Sequence, residues 1–519
     1  MPMKKSIYSF VLACSFLTTG LLQAQHRIPV VPGDDLIAKV AAAADKDTLV
    51  LEPGFYKANY TSMIVNKSLA IISENLADMP KVYLKKFELK GSNISFHLEG
   101  IEFSGFYVDS LTHVERTDTI PSADYLIDLT TEFVSGKDIV VKSCIVRNLN
   151  RSVVRGDRLA YTVENFLFDD LIVYDLRGGG DYGPFRMKSN IKFNTFTLRN
   201  STMYNMLNKL IDLQDIPDYP MDVTVENCTF YKWGGGKTGN FLFDIKTNTQ
   251  ASLYLRNNIF GKTNASETVV VNGFRVPVAA YMEITTSVFT PDFVVKDSAY
   301  EVVSWDKNEY VETNVDPEWA DPDNGNFTLP VNSPLLQMSY EGGIIGDPRW
   351  NPVTRADADL GSITLSTGTL SPNFSPSVTS YILHVPEGTT EVTVSGKGHN
   401  PRAKVTGGGT ITEFPGQVTL TVTAEDGTTK NYTISVWITG IKETLSSIEK
   451  LYPNPAKNTV FITVGQTDHI SIYNTVGQKV KTVKLEQGTN TIDISSLESG
   501  MYIIRSERKP EKVFRLIVK

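Results

Sequence analysis

Cys144-Ile145-Val146-Arg147, Leu171-Ile172-Val173-Tyr174, Ser201-Thr202-Met203-Tyr204, Cys228-Thr229-Phe230-Tyr231, Asn258-Ile259-Phe260-Gly261 and Ser287-Val288-Phe289-Thr290 repeat one pattern, which Ile101-Glu102-Phe103-Ser104 already sets. An apolar position, one intervening residue and a second apolar position lead into a polar or aromatic turn. From Val146 the second apolar position recurs after 27, 30, 27, 30 and 29 residues. Period-two alternation within each segment dictates strand. A fixed repeat near thirty residues dictates a stacked coil whose turns bury their inner faces against their neighbours. The expected fold is a parallel β-helix. Its coils lie ~4.8 Å apart, so outward side chains of consecutive turns form straight columns that can be aligned from the sequence.

A second strand per coil aligns in the same way: Val154-Arg155-Gly156-Asp157, Phe185-Arg186-Met187-Lys188, Ile211-Asp212-Leu213-Gln214, Phe243-Asp244-Ile245-Lys246 and Val271-Asn272. With the apolar members inward, two outward columns result. One reads Arg155, Arg186, Asp212, Asp244, Asn272, and the other Asp157, Lys188, Gln214, Lys246. Solvation alone would be satisfied by Ser, Thr or Lys. Stacked arginines beside stacked aspartates suit an acidic sugar chain, because Arg offers a planar fork to a carboxylate or sulfate and paired aspartates can hold calcium. Arg155 and Lys246 are therefore candidate substrate-binding residues and Asp212 and Asp244 candidate calcium ligands. Arg186 and Lys188 are candidate catalytic residues, one of them the base of a β-elimination. The competing reading is an Arg-Asp ladder that balances its own charges. Beside the first strand, Tyr174, Tyr204 and Tyr231 follow Arg147 in register, either a platform for pyranose rings or a self-stabilising corner. Asn148, Asp175 and Asn205 read as a structural ladder at a turn.

With 41% apolar and 21% charged residues, the 519-residue chain has the composition of soluble globular protein and room for about three domains. A formal charge of -8 leaves no basic excess for nucleic acid. Lys4-Lys5, the apolar run from Ile7 to Leu22 and Gln23-Ala24-Gln25 read as a signal peptide over residues 1–24. The run continues well past Cys14, which argues against a lipidated leader. No later segment reaches the ~18 apolar residues of a membrane helix. Cys144 and Cys228 fall three coils apart in one inward column, ~14 Å and too far for a disulfide, so both are expected as buried thiols. All six histidines lie outside the central coils, leaving histidine-based zinc or Ser-His chemistry without support there. Gly178-Gly179-Gly180 and Gly234-Gly235-Gly236 lack the context of phosphate cradles and read as flexible loops.

Asp35 to Ala44, followed by Asp47-Thr48-Leu49-Val50-Leu51-Glu52-Pro53-Gly54-Phe55-Tyr56, resembles the helical cap and first coil of the pectin-lyase-like superfamily, which implies a right-handed β-helix over residues 27–352. Asp316-Pro317-Glu318-Trp319 and Gly343-Ile344-Ile345-Gly346-Asp347-Pro348-Arg349-Trp350 resemble the endings of secreted bacterial β-helix proteins and some polysaccharide lyases. Residues 360–437, with Leu370-Ser371-Pro372-Asn373-Phe374-Ser375-Pro376, Tyr381 and Asn431-Tyr432-Thr433-Ile434, resemble cadherin-like β-sandwich repeats. Residues 446–519 carry Leu451-Tyr452-Pro453-Asn454-Pro455, a central Gly477 and Gly500-Met501-Tyr502. They are similar in order to the C-terminal sorting domain of type IX secretion, which implies the secretion machinery as a partner and an outer-membrane surface address. The fold class is all-β, a right-handed parallel β-helix followed by two small antiparallel β-sandwich domains.

These readings give a surface protein, expected to be a monomer, that recognises an acidic, uronate-containing polysaccharide. Were it an enzyme, it would be a polysaccharide lyase, with calcium as its one candidate cofactor. The signatures by which β-helix pectate lyases are recognised are missing. The alternatives are a non-catalytic glycan-binding scaffold and a cell-surface adhesin.

Overall fold

The structure is a computed structural model that describes residues 26–58, 61–106, 114–116, 123–157, 160–277, 280–296, 307–309, 311–439, 448–507 and 513–519. The signal-peptide reading lies outside the described residues. Contacts divide the chain into one unit holding the coils and a second holding most of the C-terminal part.

The first unit begins with a helix, Leu36–Ala42, whose first turn is capped by Asp35 accepting from the Ala38 N–H at 3.1 Å. Its apolar face, Leu36 and Val40, closes the end of the solenoid interior. Strands then wind through three parallel sheets of eleven, eight and ten members among the described residues. In the ten-strand sheet Phe103, Val146, Val173, Met203, Phe230, Phe260 and Phe289 are mutual register partners, as the thirty-residue repeat requires. Each is buried in one continuous apolar core. No helix among the described residues is long and apolar enough to cross a membrane.

The corner between the eleven- and ten-strand sheets is turned by one left-handed residue per coil. Gly100, Ser143, Asp170, Asn200, Asn227, Asn257 and Thr286 all have positive φ. Short polar side chains tolerate this conformation because they bond locally. Asn227 Nδ2 donates to Asn200 Oδ1 at 3.2 Å, and Asn200 Nδ2 to Asp169 Oδ1 at 2.8 Å. Asn148, Asp175 and Asn205 also have positive φ, in accord with the structural role read for them. Cys144 and Cys228 are free and buried.

In the second unit, strands between Leu360 and Thr439 form sheets of three and five members, and strands from Ile448 onward form sheets of three and four. Pairing is antiparallel apart from Ser380–Pro386 against Thr429–Thr439, which run parallel.

Candidate functional site

Two outward columns of charge run along the solenoid, and their difference locates the candidate site. On the eleven-strand sheet the register partners Glu99, Lys142, Asp169, Arg199, Glu226 and Arg256 alternate in sign at every step. Lys142 meets Glu99 at 3.1 Å and Arg199 meets Asp169 at 2.9 Å. Each charge finds its opposite one coil away.

The eight-strand sheet does otherwise. Its column reads Glu88, Asp128, Arg155, Arg186, Asp212, Asp244, Arg275, so three like-charge doublets stand directly opposite one another across strands. Such neighbours are destabilising unless something is placed between them. An opposite charge from outside the column bridges every doublet. Lys86 lies 3.0 Å from Glu88 and 2.5 Å from Asp128. Asp157 lies 4.0 Å from Arg155 and 2.9 Å from Arg186. Lys209 lies 3.4 Å from Asp212 and 2.7 Å from Asp244. Asp128, Asp212 and Asp244 are fully buried beneath these partners.

Burial disfavours ionised Glu88, yet Lys86 and Lys90 outweigh it and hold the carboxyl below its usual range. For Arg155 burial is again opposed, here by a bidentate pair with Asp128 at 2.7 and 2.6 Å that holds the guanidinium charged. Lys86, Arg155, Arg186, Lys188, Lys209 and Arg275 face Glu88, Asp128, Asp157, Asp212 and Asp244, leaving one cation in excess. Exposed Lys246 adds a further charge with no ion-pair partner among the described residues.

The structure places Arg155, Arg186, Lys188, Asp212, Asp244 and Lys246 on one face, and changes several readings. Asn272 is not in the charged column: it pairs with Phe241, while Asp244 pairs with Arg275. A calcium ion does not fit Asp212 and Asp244. Both carboxylates are already taken by Lys209, Gln214 donates to each at 2.7 Å, Arg186 and Lys188 each lie 3.2 Å from Asp212, and Arg275 forks onto Asp244. Among the described residues no group of acidic, His and Cys side chains forms a metal cluster. Arg186 and Lys188 are both spent on Asp212.

The tyrosine column is covered as well. Tyr174 and Tyr204 stack at 5.0 Å, but Phe327 packs edge-on against Tyr204 at 5.4 Å and Tyr231 at 5.7 Å, and Trp319 meets Tyr231 at 5.7 Å. Tyr231 is buried and donates to Asp323 at 2.8 Å. The platform reading is therefore corrected: residues 316–350 return across the ten-strand sheet and occupy it. That return is anchored by Asp347, which accepts from Thr202 Oγ1 at 2.7 Å and receives Thr229 Oγ1 at its own N–H at 3.0 Å.

Several residues of the charged face escaped sequence reading. Tyr125 and Tyr182 lie beneath its guanidinium groups: Arg186 sits 4.1 Å over Tyr182, Arg155 4.4 Å over Tyr125, and Arg151 reaches both rings at 5.0 and 5.9 Å. Tyr182 is held there by the glycine run read as a flexible loop. Asn208, itself buried, donates to the carbonyls of Gly178 and Tyr182 at 2.6 and 3.3 Å. A Cβ at Gly183 would fall 1.6 Å from the Lys209 carbonyl, so only glycine lets this loop lie against the next coil. The run is pinned.

Comparison with known proteins resolves the C-terminal part. Residues 360–438 match the cadherin-like beta sandwich domain, and residues 450–519 match the secretion system C-terminal sorting domain. The chain carries a type IX sorting domain. The protein is thus a secreted cargo, and its sorting domain supplies the handle for the secretion machinery. Residues 223–350, the last coils together with the return segment, match DUF5123, a domain of unknown function. The chain is 34% identical over 76 residues to beta-agarase A of Zobellia galactanivorans, covering 14% of each protein. A mutant of the PL6 family alginate lyase AlyGC aligns with a TM-score of 0.33 at 17% identity, over 56% of this chain and 38% of the lyase. Latent PorU from Porphyromonas gingivalis aligns with a TM-score of 0.12 at 14% identity, over 35% and 22%. The chain thus spans well under half of each of these relatives.

Proposed function

We propose that this secreted protein, held at the outer-membrane surface, binds an acidic polysaccharide along the outer face of its eight-strand sheet without cleaving it. The observation that carries the reading is the contrast between two ladders on one solenoid. The alternating ladder shows that this scaffold can neutralise a column at no electrostatic cost. The doubled ladder accepts like-charge neighbours, bridges them from outside, and retains a cation excess on a chain whose formal charge is -8. A row of fixed cations at coil spacing is complementary to a row of carboxylates or sulfates. β-Elimination would need a base and a carboxylate-neutralising cation that are free to act. Arg186 and Lys188 are instead engaged with the protein's own aspartates, which favours recognition. Similarity to a beta-agarase agrees with a polysaccharide partner in general class.

Affinity electrophoresis tests the reading. The protein should be retarded in gels containing polygalacturonate and not in gels containing neutral dextran, with retardation falling steeply as salt rises. Lys188→Ala/Lys246→Ala should weaken binding about tenfold. Equal mobility in both gels would defeat the proposal, and a rise in absorbance near 235 nm on incubation with the polyuronate would replace binding by cleavage.

A further inference from the structure

Arg151 is the one arginine of this face whose donors are largely unspent. A guanidinium carries five N–H donors. Arg151 uses Nη1 in one bond to Tyr125 Oη at 2.7 Å, while its Nε is buried 3.8 Å from Asp124, too far for a hydrogen bond. Its Nη2 has no partner among the described residues, nor does Nη2 of Arg186, whose other nitrogens are taken by Asp157, Asp212 and the Asp181 carbonyl. Asp124 is itself engaged, accepting from Asn150 at 2.8 Å. The position is nonetheless fixed, because Arg151 lies over both Tyr125 and Tyr182, and the loop carrying Tyr182 is pinned by Asn208. Its side chain is one-third exposed. A planar cation held in place by aromatic rings, with its outer edge unpaired, is preorganised for a ligand that brings its own acceptors.

We propose that Arg151, with the free edge of Arg186, is the oxyanion seat of this face, taking a carboxylate or a sulfate ester of the bound chain in a forked contact. The inference rests on the glycan-binding reading and names the residue that selects charge. The fork matters because a lysine at the same place keeps the charge and loses the paired geometry.

The test measures binding of full-length wild type, Arg151→Lys and Arg151→Ala to polygalacturonate, dextran sulfate and dextran by affinity electrophoresis, with thermal melts as a check on folding. Both variants should melt within a degree or two of wild type, since a single hydrogen bond to a tyrosine is lost. Both should bind the acidic polymer that wild type prefers about tenfold or more weakly, with Arg151→Lys failing despite its retained charge. A larger loss on polygalacturonate assigns the seat to carboxylates, and a larger loss on dextran sulfate to sulfates. Wild-type retention of an acidic polymer that both variants match would overturn the seat and leave the binding reading standing. Absence of wild-type retention by either acidic polymer would overturn both. If Arg151→Ala melts far below wild type, Tyr182→Phe, which keeps the ring, together with Arg151→Lys decides the matter by the same comparison.

Discussion

Asp347 offers the sharpest quantitative prediction. Its carboxyl is completely buried where residues 316–350 return onto the ten-strand sheet, and burial pushes its pKa from 3.8 up to about 7. The groups facing it divide in sign. Arg349, 3.9 Å away, Thr202 and the Arg349 N–H favour the ionised form, and Asp170 opposes it, but loss of water dominates. The anchored state therefore holds a proton that the opened segment, titrating near 3.8, releases. Between these two values each pH unit is worth ~1.4 kcal/mol. The stabilisation is fully present below pH 3.8 and is lost as pH rises through about 7. From pH 8 to pH 5 the anchor should gain ~2.6 kcal/mol, roughly a hundredfold in its opening equilibrium. Hydrogen exchange of the amides from Gly346 to Trp350, corrected for intrinsic pH dependence, reads this directly. Protection should rise about a hundredfold between pH 8 and pH 5 in wild type and stay level in Asp347→Asn. Equal protection at both pH values, or an unchanged slope in the variant, would refute the reasoning.

Two further outcomes follow from burial and charge. Lys209→Met leaves Asp212 and Asp244 facing each other and should cost ~3 kcal/mol, with partial recovery in Lys209→Met/Asp244→Asn; thermal melts check this against Lys246→Met, an exposed lysine that should change little. Burial pushes the Cys144 thiol up to about 12 and Cys228 well above its ordinary range, so neither should be alkylated by iodoacetamide at pH 8 until denaturant is added, as mass spectrometry would show.

The coil register was legible because it is written in the side chains that must be buried. Every partner from Val146 to Phe289 follows from apolar spacing alone. The charged column was legible as far as Asp244 and slipped at the next coil. Val271-Asn272 and Phe274-Arg275 show the same apolar-polar step three residues apart, and the loop before them fixes which one pairs. Lys86, Lys209, Tyr125 and Tyr182 were not seen as part of this face because they reach it from outside the aligned column. The return segment had no local signal for its destination: Asp347 meets Thr202 across 145 positions, and only the finished sheet shows that Phe327 occupies the tyrosine column.

The central claim is that the doubled ladder, and not the alternating one, is the face that meets a glycan. Lysine acetylation followed by mass spectrometry, with and without saturating polygalacturonate, compares the two faces within one molecule. Binding should shield Lys188 and Lys246 on the eight-strand sheet and leave Lys142 on the eleven-strand sheet labelled as before. Shielding of Lys142 with Lys188 and Lys246 unchanged would contradict the account.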